Sequence, residues 1–506
     1  MRCTVGQTQL TIDTLPDDAL LYVFDFYLVQ ASQIEAWNIL IHVCRRWRTL
    51  VFESPCRLNL RITCTDKTSV KEKLDVWPAL PVVISGSCKS LTSLDNVKAA
   101  LKHHDRVCQI KLYFDVCEVE NIAASLEEPF PILTDLDLSA VGSFRRFNPD
   151  LSKFLGGSAN LRSLTLSCIR IADPLKLLLS TPHLVILRLD RISNSIALLP
   201  DELVTGLSGL TRLEQLDFQV VFHRSHPDWE NHCIPPLKRT VFPSLTVLKV
   251  VGDSRNLDDF MAQIDTPLLD HLYILFSFSE FDRITGFVLD TPHLLQFIGR
   301  IPKLQAPEEA HIGFDKFQMW INFFCSTRIS RRVLRLGISC TEPERQFPCL
   351  AQICRSPHFP LHPLYLYIGD GQFSQHRQQN HTENTRWLEL LQSFASVKNL
   401  YLTKEFALHI AHALQELVGE RVMEVLPNLK NIFIDEFEPS GPVHEVMKEF
   451  VYARQLTGHL IIISRWDIKS AEQDADNRYS KCLNSQTSIV LFFVNTNDLN
   501  FLYDDI

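Results

Sequence analysis

Glycine is scarce in this chain, at 17 of 506 residues, about half the usual ~7%. Folds that cradle phosphate in glycine-rich loops therefore start at a disadvantage. Gly-x-Ser-x-Gly, a Walker loop and His-Glu-x-x-His are all absent, so no catalytic constellation and no cofactor are expected. Basic excess is missing too: 50 Lys plus Arg stand against 59 Asp plus Glu, a net charge of −9. Nucleic acid is not expected as the main partner, because phosphate binding needs a basic face. No apolar run approaches the ~20 residues of a membrane span; the longest late one is only Ile489 to Val494. No apolar segment precedes Asp13, so no secretory signal is expected. The 14 cysteines contain no C-x-x-C pair. Reduced, mostly buried thiols, no zinc site, and a cytoplasmic or nuclear location are the corresponding expectations.

What is present suits a large core: 46% of residues are hydrophobic, an ordinary globular share. Length alone suggests about three domains, unless the chain is a repeat array, which grows without adding cores. The N-terminal stretch is helical. Pro16 suits a first helical position, Asp17 and Asp18 complement the helix dipole, and Leu20, Val23, Phe24 and Tyr27 follow at helical spacing. A second helix is expected over 35–51, with Trp37, Leu40, Ile41, Cys44, Trp47 and Val51 on its stripe. So short a block makes a poor core of its own. Leu15, Pro16, Leu20, Val23 and Phe24 are expected to be exposed, awaiting a partner.

Leu15-Pro16-x-Asp18, then Val23-Phe24, then Val43-Cys44-Arg45-Arg46-Trp47-Arg48-x-Leu50-Val51 resembles the F-box. The resemblance covers about residues 14–54. With Val76-Trp77-Pro78-Ala79-Leu80-Pro81 soon after, the order also resembles the large F-box families of filamentous fungi. It implies binding to an SKP-type adaptor, and through it to a cullin ubiquitin ligase. Leu15, Pro16, Leu20, Val23 and Phe24 would face the adaptor, and Val43, Cys44, Trp47 and Val51 would be shared between core and interface. The stretch from Tyr27 to Glu35 is longer than the usual family connection. The plainer reading of these residues is a helical cap on a repeat array.

The remainder repeats. Leu-x-x-Leu-x-Leu recurs at Leu133, Leu136, Leu138; Leu161, Leu164, Leu166; Leu184, Leu187, Leu189; and, with substitutions, through to Leu429, Ile432, Ile434. Fifteen copies, centred from Leu60 to Ile462, step by about 29 residues, the upper end of the leucine-rich-repeat range. Helices fit between copies at 174–180, 199–206, 257–264, 387–395, 406–419 and 443–454. The expected fold is therefore α/β: an N-terminal tail (1–13), a short helical F-box (14–54), an irregular leucine-rich-repeat-like solenoid (55–466), and a C-terminal tail (467–506). The solenoid would be a curved parallel sheet with helices on its convex side. Ordinary α/β domains with Leu-rich strands are the bland alternative. The template's usual Asn or Cys position holds Val141, Ile169, Ile192 and Val221, so the side-chain ladder is expected to be missing and the array irregular.

Strand residues alternate faces. Leucines inward, the concave face then presents Asp135, Asp137, Ser163, Thr165, Arg188, Asp190, Gln215 and Asp217 early, and Tyr273, Tyr365, Tyr367, Tyr401 and Phe433 late. Outward aromatics need cover or a partner; the alternative is that C-terminal helices or the last segment fold over them. His358 and His362, and His409 and His412, have metal-ligand spacing but read as loop and structural histidines. The run 372–384 reads as a surface loop. The functional expectation is a non-enzymatic substrate receptor of an SKP-cullin-F-box ubiquitin ligase, its solenoid holding a protein target. An interaction scaffold without ligase recruitment, and an enzyme with a site hidden in an insertion, are the alternatives.

Overall fold

The computed structural model describes residues 12–30, 36–53, 60–67, 69–76, 81–88, 90–126, 128–141, 160–171, 174–194, 200–220, 239–277, 291–314, 318–326, 331–339, 343–356, 362–370, 381–417, 419–438 and 440–466. Contacts divide the chain into two compact units, 1–172 and 173–506.

The first unit opens with helices α1 (Asp17–Gln30), α2 (Ala36–Val43) and α3 (Arg45–Glu53). One helix was expected over 35–51. The chain breaks instead at Cys44, whose thiol accepts the Trp47 N–H at 3.4 Å, as a side-chain cap does at a helix start. Leu20, Leu21, Phe24, Leu40, Leu50 and Val51 bury one another, and the Trp47 ring lies 4.7 Å from that of Phe24. Arg46 ties α3 to the start of α1 through Asp17 (Nε to Oδ1, 3.0 Å) and the Leu15 carbonyl. The block thus supplies its own small core, contrary to the expectation that Leu20 and Phe24 lie exposed.

Strands β1 (Leu60–Cys64), β2 (Val82–Cys88), β3 (Val107–Asp115), β4 (Asp135–Val141) and β5 (Ser163–Ser167) follow, with the two-residue β6 (Arg170–Ile171). β1 to β5 pair in parallel, in chain order. Between them run α4 (Val70–Val76), α5 (Leu91–Leu101) and α6 (Val119–Ser125). A capping box starts α5: Ser90 and Ser93 each accept the other's backbone N–H. In β2 Val82 and Ile84 face the core while Val83 is half-buried on the other face, beside a register shift against β3.

The second unit continues with α7 (Pro174–Leu179), β7 (Ile186–Asn194), α8 (Pro200–Leu207), β8 (Gln215–Val220), β9 (Thr240–Val241), β10 (Val247–Gly252), α9 (Ser254–Gln263), β11 (Ile264–Asp265) and β12 (His271–Ser277). β7, β8, β10 and β12 pair in parallel, and β9 pairs with β11 apart from them. After α10 (Pro292–Gly299) come β13 (Glu309–Phe314), β14 (Gln318–Ser326) and β15 (Arg331–Ser339). Here the order inverts. β15, not β13, lies beside β12; β14 runs antiparallel between β15 and β13; and β13 pairs with the later β16 (Tyr365–Asp370). The uniform parallel sheet expected from the repeat is therefore broken by one antiparallel strand. Parallel pairing resumes through β17 (Asn399–Leu402), β18 (Asn431–Asp435) and β19 (Ile462–Trp466). Helices α11 (Pro343–Arg355), α12 (His381–Leu391), α13 (Lys404–Gln415) and α14 (Pro442–Leu456) alternate with these strands.

All fifteen expected strands are present, and the template leucines from Leu133 to Leu429 are buried, whereas Ile462, the centre of the last copy, is exposed. Thr291-Pro292 opens helix α10 with proline at its first position. The run 372–384 is read here only from His381, which starts α12; residues 371–380 lie outside the described residues. The expected loss of the side-chain ladder has two parts. Ile169 and Ile192 are buried apolar residues, Val141 is exposed, and Val221 lies outside the described residues. A different ladder runs at the strand starts: Asn160 donates to the Pro131 carbonyl, Ser244 to Thr211, Ser396 to Pro363 and Asn428 to Ala395. Each of these donors immediately precedes the first apolar residue of its copy. These bonds satisfy turn carbonyls that burial would otherwise leave unpaired.

Candidate functional site

Helices cover one face of each sheet; the other face carries the alternate strand residues. In the second unit those residues fall into rows, because register aligns them. One row reads Asp217, Lys249, Tyr273 and Arg335 across β8, β10, β12 and β15. It continues as Asn322, His311, Tyr367, Tyr401 and Phe433 across β14, β13, β16, β17 and β18.

The late part of this row is an aromatic ladder. His311 lies 4.3 Å from Tyr367, Tyr367 4.3 Å from Tyr401, and Tyr401 4.6 Å from Phe433, the last two pairs stacked within 14° of parallel. The separation matches the spacing of neighbouring strands, so the sheet itself dictates the stack, and each such pair adds about 0.5–1.5 kcal/mol beyond area burial. Trp466, on β19, sets its ring edgewise to Tyr401 at 5.3 Å and tilted to Tyr367 at 5.9 Å. Thr403 and Gly369 follow the ladder's strands in the neighbouring row. Gly369 has φ +139°, and a Cβ there would overlap the Thr403 side chain. Burial raises the hydroxyl pKa of both Tyr367 and Tyr401, and nearby Tyr365 and Glu309 add to it; Tyr401 raises Tyr367 further, while the hydrogen bond with Tyr367 partly offsets the rise at Tyr401. Both are neutral hydrogen-bonding groups.

Of the five aromatics expected on this face, all lie half-buried on it. The structure unites Tyr367, Tyr401 and Phe433, with Tyr365 in the adjacent row of β16. It separates Tyr273, which stacks on His271 at 6.4 Å and stands four strand steps from Tyr367, about 19 Å. The inverted strands intervene, which the repeat template did not reveal. Sequence reasoning also missed His311, Trp466 and Trp320. The indole of Trp320 covers Gly313 so closely that a Cβ there would come within 2.5 Å of it. The Arg335 guanidinium then lies 5.0 Å from the centre of that indole. The signal available was the pair of glycines, Gly313 and Gly337, at face positions of consecutive copies.

In the first unit the open face is polar. Thr63, Ser85 and Gly86 leave a hollow of about 420 Å³ bounded by Lys111 and Tyr113, with Lys111 over the Tyr113 ring and 3.5 Å from Asp137. On the helical block, Pro16, Val23 and Val43 are exposed, Leu15, Cys44 and Trp47 are half-buried, and Leu20, Phe24 and Val51 are core. Tyr22 and Ile12 add to the exposed apolar surface. The expectation that Leu20 and Phe24 face a partner is therefore corrected, because packing against Leu21, Leu40 and Leu50 withdraws them; Val51, expected to be shared between core and interface, lies in the core.

His358 lies outside the described residues and His362 is exposed before β16. His409 and His412 sit in α13, with His409 Nδ1 3.9 Å from Glu383 Oε1. Among the described residues no three His, Cys, Asp or Glu side chains are grouped to hold a metal, and no helix is long and apolar enough to cross a membrane.

No protein-family profile matches this chain, and no curated protein matches its sequence. Among solved structures it is similar to the leucine-rich-repeat-containing protein LegL7 from Legionella pneumophila, at 12% identity and a TM-score of 0.27, over 78% of this chain and 97% of that one.

Proposed function

We propose that this chain is a non-enzymatic receptor that captures a protein on the open face of its repeat sheet and, through its N-terminal helices, presents that protein to an SKP-type adaptor of a cullin ubiquitin ligase. The observation that carries the capture role is the in-register ladder Tyr367–Tyr401–Phe433, edged by Trp466, on a face that no helix among the described residues covers. Aromatic anchors dominate protein interfaces. The adaptor role is supported by the F-box resemblance of residues 14–54 and by exposed Pro16, Val23 and Val43 on a self-contained helical block. Such a receptor performs no chemistry. It raises the effective concentration of a target near a ubiquitin-charged enzyme.

The test is recovery of the adaptor with the tagged full chain. Val23→Asp and Val43→Asp, both at exposed positions, are expected to abolish adaptor recovery while leaving the ladder's targets bound. A wild-type chain that recovers targets but never an adaptor leaves the second reading, a repeat interaction scaffold without ligase recruitment.

A further inference from the structure

Strand β19 differs from the strands before it in how little of it is covered. Register sets its Ile463 beside Ile432 of β18 and its Arg465 beside Ile434. Leu460 is the counterpart of Leu429, each lying two residues before the aligned pair Ile462 and Asn431. Leu460, Ile463 and Arg465 therefore hold the three template positions of the last copy. In the copy before, Leu429, Ile432 and Ile434 are at most 2% exposed. Here Leu460 is 64% exposed, Ile463 is only half-buried and Arg465 is exposed. Earlier copies are covered by the helix and strand that follow them; among the described residues none follows β19. The Ile462 N–H donates to the Lys430 carbonyl of β18 at 2.9 Å. Backbone N–H groups alternate between the two edges of such a strand, so those of Ile463 and Arg465 point to the open edge. An apolar, unpaired edge is a template for another strand.

Residues 467–506 lie outside the described residues, and their sequence contains Ile489-Val490-Leu491-Phe492-Phe493-Val494. This run has the length of a strand and is made of residues that strands favour. One more repeat step of about 29 residues from Ile462 reaches Leu491, at its middle. The 22 residues from Asp467 to Ser488 exceed the dozen or so that a parallel crossover requires. We infer that Ile489–Val494 is a sixteenth copy of the repeat, paired in parallel with the open edge of β19. Tethering gives this segment a far higher effective concentration at the edge than a second copy of the chain has. Its crossover covers Leu460 and Ile463, while Arg465, at the rim of the strand, keeps its guanidinium in water above a covered stem. Either alternation of the run sets three apolar residues on the open face beside Ser464 and Trp466. The aromatic patch is then one strand wider than the ladder. The pairing itself stands whether or not that patch docks a target.

The experiment is hydrogen exchange of the full chain, resolved to single amides. Wild type is compared with Leu491→Pro plus Phe492→Pro, and with Leu491→Ile plus Phe492→Tyr. Two adjacent prolines are needed because only one of two neighbouring N–H groups faces β19, and proline removes that donor. The second pair keeps strand-favouring residues. In wild type the amides of Ile463 and Arg465 are expected to be protected along with the run 489–494. The prolines should speed exchange at Ile463 and Arg465 by about tenfold or more, and the Ile and Tyr pair should keep wild-type rates. Ile462 and Ser464, whose N–H groups face β18, report that β19 itself stays folded in the proline variant. Unprotected Ile463 and Arg465 in wild type overturn the inference. So does protection that the prolines leave unchanged. Protection that grows with protein concentration, alongside a dimer in sedimentation, assigns the edge to a second copy of the chain and overturns it as well.

Discussion

Arg454 is a cation with no surface exposure. It donates to the carbonyls of Val422, Leu426 and Pro427 and lies 5.8 Å from the centre of the Phe450 ring. Burial lowers its pKa, yet a guanidinium stays charged in proteins. Its fork is what holds the turn before β18 closed onto α14. Arg454→Ala should destabilise the second unit by about 2–4 kcal/mol, since charged hydrogen bonds are worth about 1.5–3 kcal/mol and their loss leaves carbonyls unpaired. Arg454→Lys, with one ammonium for several carbonyls, should recover less than half. Urea midpoints of the three proteins decide this. The thiols give a second residue-scale expectation. Burial pushes Cys64 up to about 12, and Cys88, Cys108 and Cys325 up to about 11, from an ordinary 9.0. The unfolded chain releases these protons first, so it binds fewer protons than the native state as pH climbs through 9 to 11. Stability therefore falls with rising pH, at a slope that grows toward a limit of about 1.4 kcal/mol per thiol per pH unit above pH 9. Guanidinium melts at pH 8, 9 and 10 should show the decline, and Cys64→Ala should blunt it. That these cysteines are buried and unpaired is legible in their scatter and in the missing C-x-x-C. Arg454 is not legible at all, because nothing in Phe450-x-x-x-Arg454 distinguishes a buried arginine from one in the solvated last turn of a helix.

At the scale of elements, strand β14 is the feature that matters most. Its inward residues Met319, Ile321 and Phe323 are fully buried, and it bonds on both sides to β13 and β15. Ile321→Pro removes a ladder donor in the middle of a sheet, where proline is not tolerated. The variant should lose at least ~3 kcal/mol, with hydrogen exchange accelerating in β13 and β15 before any change in β1 to β5. Gly313→Ala asks a subtler question. The new Cβ would collide with the Trp320 ring, displacing the indole from beneath Arg335. A cost of about 1–3 kcal/mol is expected for such overpacking, with a shift in tryptophan emission; an unshifted emission maximum would show that the indole is held by something other than that glycine. The parallel strands were legible because leucines recur at Leu-x-x-Leu-x-Leu with a step of about 29. β14 was not, because Met319, Ile321, Phe323 and Cys325 alternate with a period of two but stand outside the template. Its presence reverses the spatial order of two copies that look ordinary in sequence. The same reversal set Tyr273 apart from the other four aromatics.

At the scale of the whole molecule, the two proposed binding patches belong to different units, each held by its own buried residues. Combining Val23→Asp with Tyr401→Ser should therefore give additive losses, adaptor recovery and target recovery each falling as in the single variant, as independent sites do. A target loss with Val23→Asp alone would contradict that independence. The inverted strands have a further consequence, for the order in which the chain can become a sheet. In an ordinary repeat array each copy finds its neighbour as soon as it is made, and folding can spread one copy at a time. Here β12 must wait for β15, some sixty residues later, before its second edge is covered, while β13 and β14 can pair only with each other in the meantime. During synthesis the span from 271 to 339 passes through a stage with three open strand edges, one on β12 and both outer edges of the β13–β14 hairpin, the condition under which strands pair with the wrong chain. The emergence of β15 then joins β12 to β14 and β13 in a single step, ahead of β16, making the middle of this unit its most cooperative part and its most exposed moment the one just before Arg331–Ser339 emerges.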